Sequence, residues 1–440
     1  MSEWQEVKLA DLCIEKGVQT GPFGSQLHKK DYVAVGTPII TVEHLGDNRI
    51  TKQNLPRVSD EDKERLNKYI LQEGDIVFSR VGSVDRRAYV HKEEDGWLFS
   101  GRCLRVRVDR DKIDPYYLSA YFGLPSFKEY IRSIAVGATM PSLNTSLLKE
   151  VPVILPPKEK QKFISDIAYV IESKIELNKR MNETLEGMAR AIFKSWFVDF
   201  DPVHTKAEGR KPEGMNAQTT ALFPSTFTPD GLPDGWEKKL VGDAVDTISK
   251  TYPLKEVDEV IFLNTGDILD GKFLHTNKSD PTALPGQAKK SIQKGDILYS
   301  EIRPQNKRHA YVHFDTPDYV VSTKLMVLRE KSDIPSLFIY FILTELSNID
   351  FLQMMAESRS GTFPQITFDV LSRVDYIGPV NNEAIKVFSE NVLEPLYEKM
   401  IANEKQNQTL ASLRDTLLPK LISGELQVDN AAETLKEAVG

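Results

Sequence analysis

The chain has 440 residues, enough for two or three domains with separate cores, and its 40% hydrophobic and 27% charged residues are those of a globular protein. A formal net charge of −8 excludes a general polyanion binder but leaves room for basic groups gathered on one face. Two cysteines, Cys13 and Cys103, exclude a disulfide framework and lie in no metal-ligand spacing, so a reducing cytoplasm is expected.

The first residues, "MSEWQEVKLADL", lack the basic start and apolar core of a signal peptide. The longest apolar run, "LFIYFIL" from Leu337, is too short to span a bilayer, and no membrane association is expected. The glycine-rich "GVQTGPFGS" at Gly17 has no lysine of a phosphate loop and reads as a turn or plain loop. "LQEGDIVFSRVG" at Leu71 reads as a turn followed by a strand, and "CLRVRV" at Cys103 as a second strand. "DPYYLSAYF" at Asp114 reads as a helix with Asp at the N-cap and Pro in the first position. That explains the Asp-Pro-Tyr-Tyr string without a methyltransferase site. "VPVILPP" at Val151 reads as a last strand stopped by proline. A helical stripe then runs through Ala168, Ile171, Ile175, Leu185, Ala189, Ile192 and Trp196, with Asn178 and Asn182 at two stripe positions.

After a Pro-, Gly- and Thr-rich stretch from Asp201 to Gly235, read as an extended connector, the same order returns. "IQKGDILYSEIR" begins at Ile292, "AYVH" at Ala310 repeats Ala88, and "TFPQITFDVLSRVDYIGPV" at Thr362 repeats "TMPSLNTSLLKEVPVILPP" at Thr139. The offset is 221 to 225 residues along most of the copy but 232 at Trp4 and Trp236, so the early part of the second copy is shorter. The second stripe carries Asn403 and Asn407 at the matched heptad points, and Arg414 interrupts it. The asparagines are either exposed beside an ordinary buried face or a buried register pair; in an antiparallel arrangement Asn178 faces Asn407 and Asn182 faces Asn403. Beside the stripe, Phe163, Ile167, Val170, Met181, Met188, Phe193 and Phe197 form apolar surface beyond what two helices need, which calls for helices of partner subunits. The expected fold is α+β. Two similar mixed α/β domains (1–157 and 236–380) alternate with two long antiparallel coiled-coil helices (158–200 and 381–424) about a pseudo-two-fold axis, with a linker at 201–235 and a fraying polar tail at 425–440.

No catalytic constellation emerges. "PDGWEKK" at Pro233 has acidic residues too close together for a nuclease metal site, and His309 and His313 have no third ligand. The loop after each Gly-Asp-Ile strand is polar and basic instead: Arg80, Ser83, Arg86 and Arg87 in the first copy, and Arg303, Gln305, Asn306, Lys307 and Arg308 in the second. Arg, Gln and Asn can read base edges, and Lys and Arg neutralise phosphates, although a solvated hairpin tip has the same composition. A second group precedes each last strand: Thr139, Ser142 and Asn144, against Ser360, Thr362 and Gln365. These suit close approach to phosphates or, equally, a helix-end turn. Lys29, Lys30, Arg102, Lys272, Lys278 and Lys324 complete the candidate set.

With "GPFGS" at Gly21, "GDIVFSR" at Gly74, "VPVILPP", "AIFKSWFVDFDP" at Ala191 and "LLPKLISGEL" at Leu417 in their duplicated order, the chain resembles the specificity subunit of a type I restriction–modification system from about Trp4 to Gln427. The resemblance implies two target recognition domains, each reading one half of a bipartite double-stranded DNA site, with the helices setting the gap. It implies partners as well: two methyltransferase subunits, which bind S-adenosylmethionine, and motor-nuclease subunits. For this chain it implies no cofactor, no metal and no catalytic residue. A self-contained methyltransferase or nuclease, and a helical adaptor without a DNA role, are the competing readings.

Overall fold

The computed structural model describes residues 4–24, 26–137 and 139–426, which divide into two compact units. The first contains residues up to Arg180 and from Asn403 onward; the second runs from Met181 to Ala402. The polar tail expected to fray lies outside the described residues from 427 on.

The repeated phrases become the same elements in both units. In the first, the Gly-Asp-Ile strand Ile76–Ser79 lies inside a five-stranded sheet, between Cys103–Val108 and Arg87–Tyr89. In the second, Ile297–Ser300 lies between Leu325–Glu330 and His309–Tyr311. Both central strands are buried along their whole length. Register agrees as well: Ile76 pairs with Val106 and Tyr89, and Ile297 with Leu328 and Tyr311. A second small sheet repeats likewise, with Thr37–Ile40 parallel to Leu98–Phe99 and Val260–Leu263 parallel to Tyr319–Ser322. The expected last strands, Pro152–Leu155 and Asp375–Pro379, each pair antiparallel with the strand that opens their copy, Gln5–Lys8 and Trp236–Leu240.

The Gly-Asp dipeptide explains why the phrase occurs twice. Gly74 and Gly295 turn the chain with φ of 94° and 92°, a left-handed backbone that glycine adopts without a Cβ clash. The aspartates that follow are buried, and each takes a two-pronged bond from an arginine on the neighbouring strand. Arg107 reaches Asp75 at 2.7 and 2.6 Å, and Arg329 reaches Asp296 at 2.7 and 2.8 Å. The carboxylates also accept the backbone N–H of Gln72 and Gln293, both at 2.8 Å.

The shorter early part of the second copy falls where the strand Val245–Ile248 has four residues against eight in Cys13–Thr20. The segment that carries Lys29 and Lys30, a 3-10 turn over Lys29–Asp31, belongs to this longer first-copy region. Asp114 caps the helix Pro115–Tyr121 by accepting from the Tyr117 N–H at 2.8 Å, as its sequence predicts. The matching helix Ser336–Thr344 follows Pro335 with no side-chain cap. Its residues are all buried, which accounts for the apolar run at Leu337, and no single helix among the described residues is long and apolar enough to cross a membrane.

The first long helix is Lys158–Phe197; the second is built from Glu383–Phe388, a π turn over Ser389–Leu393 and Glu394–Ser423. Pro395, which has no amide proton, lies two residues beyond that wider turn. The helices run antiparallel. In the first unit Ile164, Ala168 and Ile171 pack with Leu410, Leu417 and Leu421, and in the second Ala189 and Phe193 pack with Leu393 and Leu396. Asn178 faces Asn407, donating Nδ2–H to its Oδ1 at 2.9 Å and to Gln406 at 2.8 Å. Both asparagines are buried, so the pair sits inside the seam and not on its edge. Asn403 is buried too, and Asn182 donates to the Met400 carbonyl at 3.1 Å.

Two expectations need correction. The 201–235 segment is not an extended connector: it forms the helices Asp201–Ala207 and Ala217–Ala221 and buries Val203, Met215 and Phe223 in the second unit's core. Apolar residues spaced through a Pro- and Gly-rich stretch pulled it onto that core. Of the apolar residues beside the helix stripe, Ile167, Phe193 and Phe197 are buried by the chain's own domains and Phe163 packs against the first core, so they need no partner. Val170 and Met188 remain 48% exposed.

Replacing Asn178 by Leu strands the amide of Asn407 and is expected to cost roughly 1–3 kcal/mol. Replacing both by Leu is expected to recover that loss, with weaker selection of register. Thermal unfolding of the two single variants and the double variant measures the coupling.

Candidate functional site

In each unit the two groups of sequence candidates form one platform, because main-chain bonds zip the loop after the central strand to the segment before the last strand. In the first unit Gly82 N–H donates to the Pro141 carbonyl at 2.9 Å and Leu143 N–H to the Arg80 carbonyl at 2.8 Å, while Val81 bridges Ser142. In the second, Arg303 N–H donates to Pro364 at 3.2 Å and Ile366 N–H to Glu301 at 2.8 Å, while Ile302 bridges Gln365. A third strand end joins each platform: Arg80 N–H bonds the Arg102 carbonyl at 2.8 Å, and Glu301 N–H the Lys324 carbonyl at 3.1 Å.

The frames match and the side chains do not. Arg80 is stacked on Phe23, its guanidinium carbon 5.2 Å from the ring centroid, and its buried Nε has no hydrogen-bond partner. At the same place the second unit has Glu301, which pairs with Lys324 at 3.4 Å. Gly82, at φ 75°, is replaced by Arg303 at φ 43°. Phe23 and Glu301 escaped the sequence reading. A position-by-position comparison of the two copies exposes Glu301 opposite Arg80, but nothing in one dimension links Phe23 to Arg80.

Several candidates are exposed: Lys29, Lys30, Ser83, Arg102, Thr139, Lys272, Asn306, Thr362 and Gln305, whose Nε2–H donates to Asp350 Oδ1 at 3.4 Å. Others are engaged. Arg86 donates to the Leu45 carbonyl. Lys278 pairs with Glu259 at 3.7 Å and Lys307 with Asp270 at 3.5 Å. Ser142 Oγ donates to Val136 O at 3.1 Å, Ser360 Oγ accepts the Phe363 N–H at 3.1 Å, and Asn144 caps the helix Thr145–Lys149. For Asn144 the helix-end alternative is the one observed.

Arg87 and Arg308 are corrections to the surface-loop expectation. Arg308 turns inward and donates to the carbonyls of Gly266 and Ile268 at 3.0 and 2.9 Å. Arg87 is 3% exposed, donates to the Ser119 carbonyl at 2.7 Å and lies 3.7 Å from Asp47. Asp47 in turn takes Arg414 from the second long helix at 2.8 Å, which explains the break in that stripe. Glu172 of the first long helix joins the same polar junction, accepting from Asn48 at 2.7 Å and Tyr116 at 2.5 Å. Arg87 therefore fastens its domain to the helices. A strand end next to a loop looks the same in sequence whether its arginine points out or in.

His309 occupies the place of Arg87 in the second unit and is likewise buried. It stacks on Tyr299, bonds Tyr340 Oη at 3.1 Å and lies 3.9 Å from Asp270. Burial pushes its pKa down from 6.5 to about 4. No group of three or more His, Cys, Asp or Glu among the described residues could hold a metal ion. What the platforms offer is hydrogen-bonded main chain carrying exposed polar side chains.

Comparison with known proteins agrees with this duplication. Residues 1–187 and 233–409 match the type I restriction modification DNA specificity domain. The type I restriction enzyme HindI specificity subunit of Haemophilus influenzae is 43% identical over 184 residues, a match covering 41% of this chain and 39% of that protein. The MjaIX specificity subunit of Methanocaldococcus jannaschii is 27% identical over 344 residues, covering 76% of this chain and 74% of that one. The crystal structure of a type I restriction–modification S subunit from M. genitalium superposes with a TM-score of 0.56 at 15% identity, covering 95% of this chain and 96% of that one. That level of likeness speaks to the fold.

Arg87→Ala is expected to destabilise the first unit by roughly 3 kcal/mol, whereas Arg102→Ala leaves its melting temperature unchanged. Thermal denaturation separates the anchor from the exposed side chain. For His309, the unfolded chain takes up a proton below pH 6.5 that the folded unit refuses until about pH 4. Its contribution is therefore complete above 6.5 and is lost as pH falls through that window, in total by roughly 3 kcal/mol. His309→Gln is expected to flatten that part of the stability–pH curve, measured by denaturant unfolding from pH 7 to 4.

Proposed function

Because the chain belongs to the family of the type I restriction modification DNA specificity domain and carries that domain twice, we propose that it reads a bipartite double-stranded DNA target, one half-site to each unit. The observation that carries this reading is the pair of platforms with one backbone frame and different side chains: Arg80 against Glu301, and Gly82 against Arg303. Two readers of unlike sequences need a common scaffold and divergent contacts. Arg102, Arg303, Gln305 and Asn306 present donors and acceptors of the kind that pair with base edges, and Lys29, Lys30 and Lys272 neutralise phosphates.

Chemistry then belongs to partner subunits. Two methyltransferase subunits, with S-adenosylmethionine bound to them, dock on the helices, and motor-nuclease subunits complete the restriction complex. Val170 and Leu177, seven residues apart on the first long helix and 48% and 46% exposed, supply apolar contact for such docking. The helix pair fixes the interval between half-sites, and the Asn178–Asn407 bond keeps its register.

Mapping methylated adenines in the host genome identifies the target. On a duplex carrying it, Arg80→Ala is expected to weaken contact with one half-site and leave the other protected. Footprinting that shows equal loss across both halves, or methyltransferase activity in the isolated chain, contradicts this assignment.

A further inference from the structure

Each platform carries a large exposed apolar side chain at an equivalent place, joined in the first unit by Phe23 and Val136, which are 51% and 61% exposed. Met140 and Phe363 occupy equivalent places in Thr-Met-Pro and Thr-Phe-Pro, and they are 66% and 72% exposed. Single exposed apolar residues need no explanation, but a matched pair on two otherwise divergent surfaces does. The following proline restricts each to extended backbone.

Main-chain bonds hold both tips. Beside Met140, the Pro141 carbonyl accepts from Gly82 at 2.9 Å, and Val136 and Ser142 exchange bonds of 3.0 and 2.9 Å. Arg303 brackets Phe363 on both sides: its N–H donates to Pro364 at 3.2 Å and its Nη2 to the Thr362 carbonyl at 3.4 Å. Arg303 does this from a left-handed backbone that costs free energy for any residue but glycine, where the sister unit has Gly82. Exposed Thr139, Arg303 and Thr362 surround the tips, so the apolar groups project from a surface that otherwise suits phosphates and base edges.

We propose that Met140 and Phe363 are wedges that enter the base stack of the half-site read by their own unit, partly unstacking one step and bending the duplex there. Apolar side chains pushed between base pairs act this way when flanking polar groups hold the backbone on either side. The proposal rests on the DNA-reading function above and deepens it. Phe363 is flat and has two side-chain torsions against three for Met140, so it loses less freedom on insertion and bends its half-site more.

The test uses the full chain assembled with its methyltransferase subunits and duplexes carrying the mapped target, with a donor–acceptor dye pair spanning one half-site at a time. Phe363→Ala is expected to reduce affinity roughly tenfold and to straighten one half-site only. Met140→Ala is expected to straighten the other, and Phe363→Leu to restore part of the bend. Both side chains are exposed, so unchanged melting temperatures confirm intact folds. Wild-type affinity and bend in both alanine variants overturn the proposal. So does reduced affinity with the bend unchanged, which marks a base-edge contact, or weaker capture of the methyltransferase subunits with DNA behaviour intact. A wild-type complex that ignores the bipartite target refutes the DNA-reading function itself, a separate outcome.

Discussion

Each unit depends on a carboxylate buried beneath a glycine turn and gripped by an arginine from the next strand. Asp75 with Arg107, and Asp296 with Arg329, fix where the central strand begins and how it registers against its neighbour. A buried ion pair of this kind adds little net stability over a well-packed apolar alternative, but an unpaired member is expensive, so alternative registers are penalised. With the strand start fixed, its far end delivers Arg80 or Glu301 to the same point of the frame. Recognition side chains can then diverge without disturbing the core that presents them.

The junction between domain and helices shows the same economy with different chemistry. The first unit uses ions: Arg87, Asp47, Arg414 and Glu172, with Gly123 leaving room for the Arg87 guanidinium. The second puts rings at the matching place, His309 between Tyr299 and Tyr340, with Tyr311 against Tyr397. Arg190, in the first long helix, pairs with Glu345 at 2.7 Å, as Arg414 of the second pairs with Asp47.

Much of this architecture is legible in the sequence. Turn, strand and last-strand signals occur twice in one order, and heptad spacing puts asparagines at matched points of both stripes, which an antiparallel arrangement brings face to face as Asn178 and Asn407. Those are short-range patterns, and local backbone preference and periodicity are enough to read them. Three features were not legible. The 201–235 segment has linker composition, yet Val203, Met215 and Phe223 reach a core assembled from residues far along the chain. Arg87 and Arg102 look alike in sequence, but one is buried at a junction and the other is exposed. Met140 and Phe363 read as ordinary apolar residues before proline, and only the fold shows them 66% and 72% exposed.

The sequence by itself determined the duplication, the repeated turn, strand and heptad signals and the family likeness, because each is written in neighbouring residues or in a repeat of them. The tertiary structure alone decided which basic side chains anchor and which face outward, and it joined the two polar groups of each copy into one platform. Those outcomes depend on hydrogen bonds between segments about sixty residues apart, such as Gly82 with Pro141 and Arg303 with Pro364. No local preference specifies such a pairing; it exists only once the sheet and the last strand have brought both segments together.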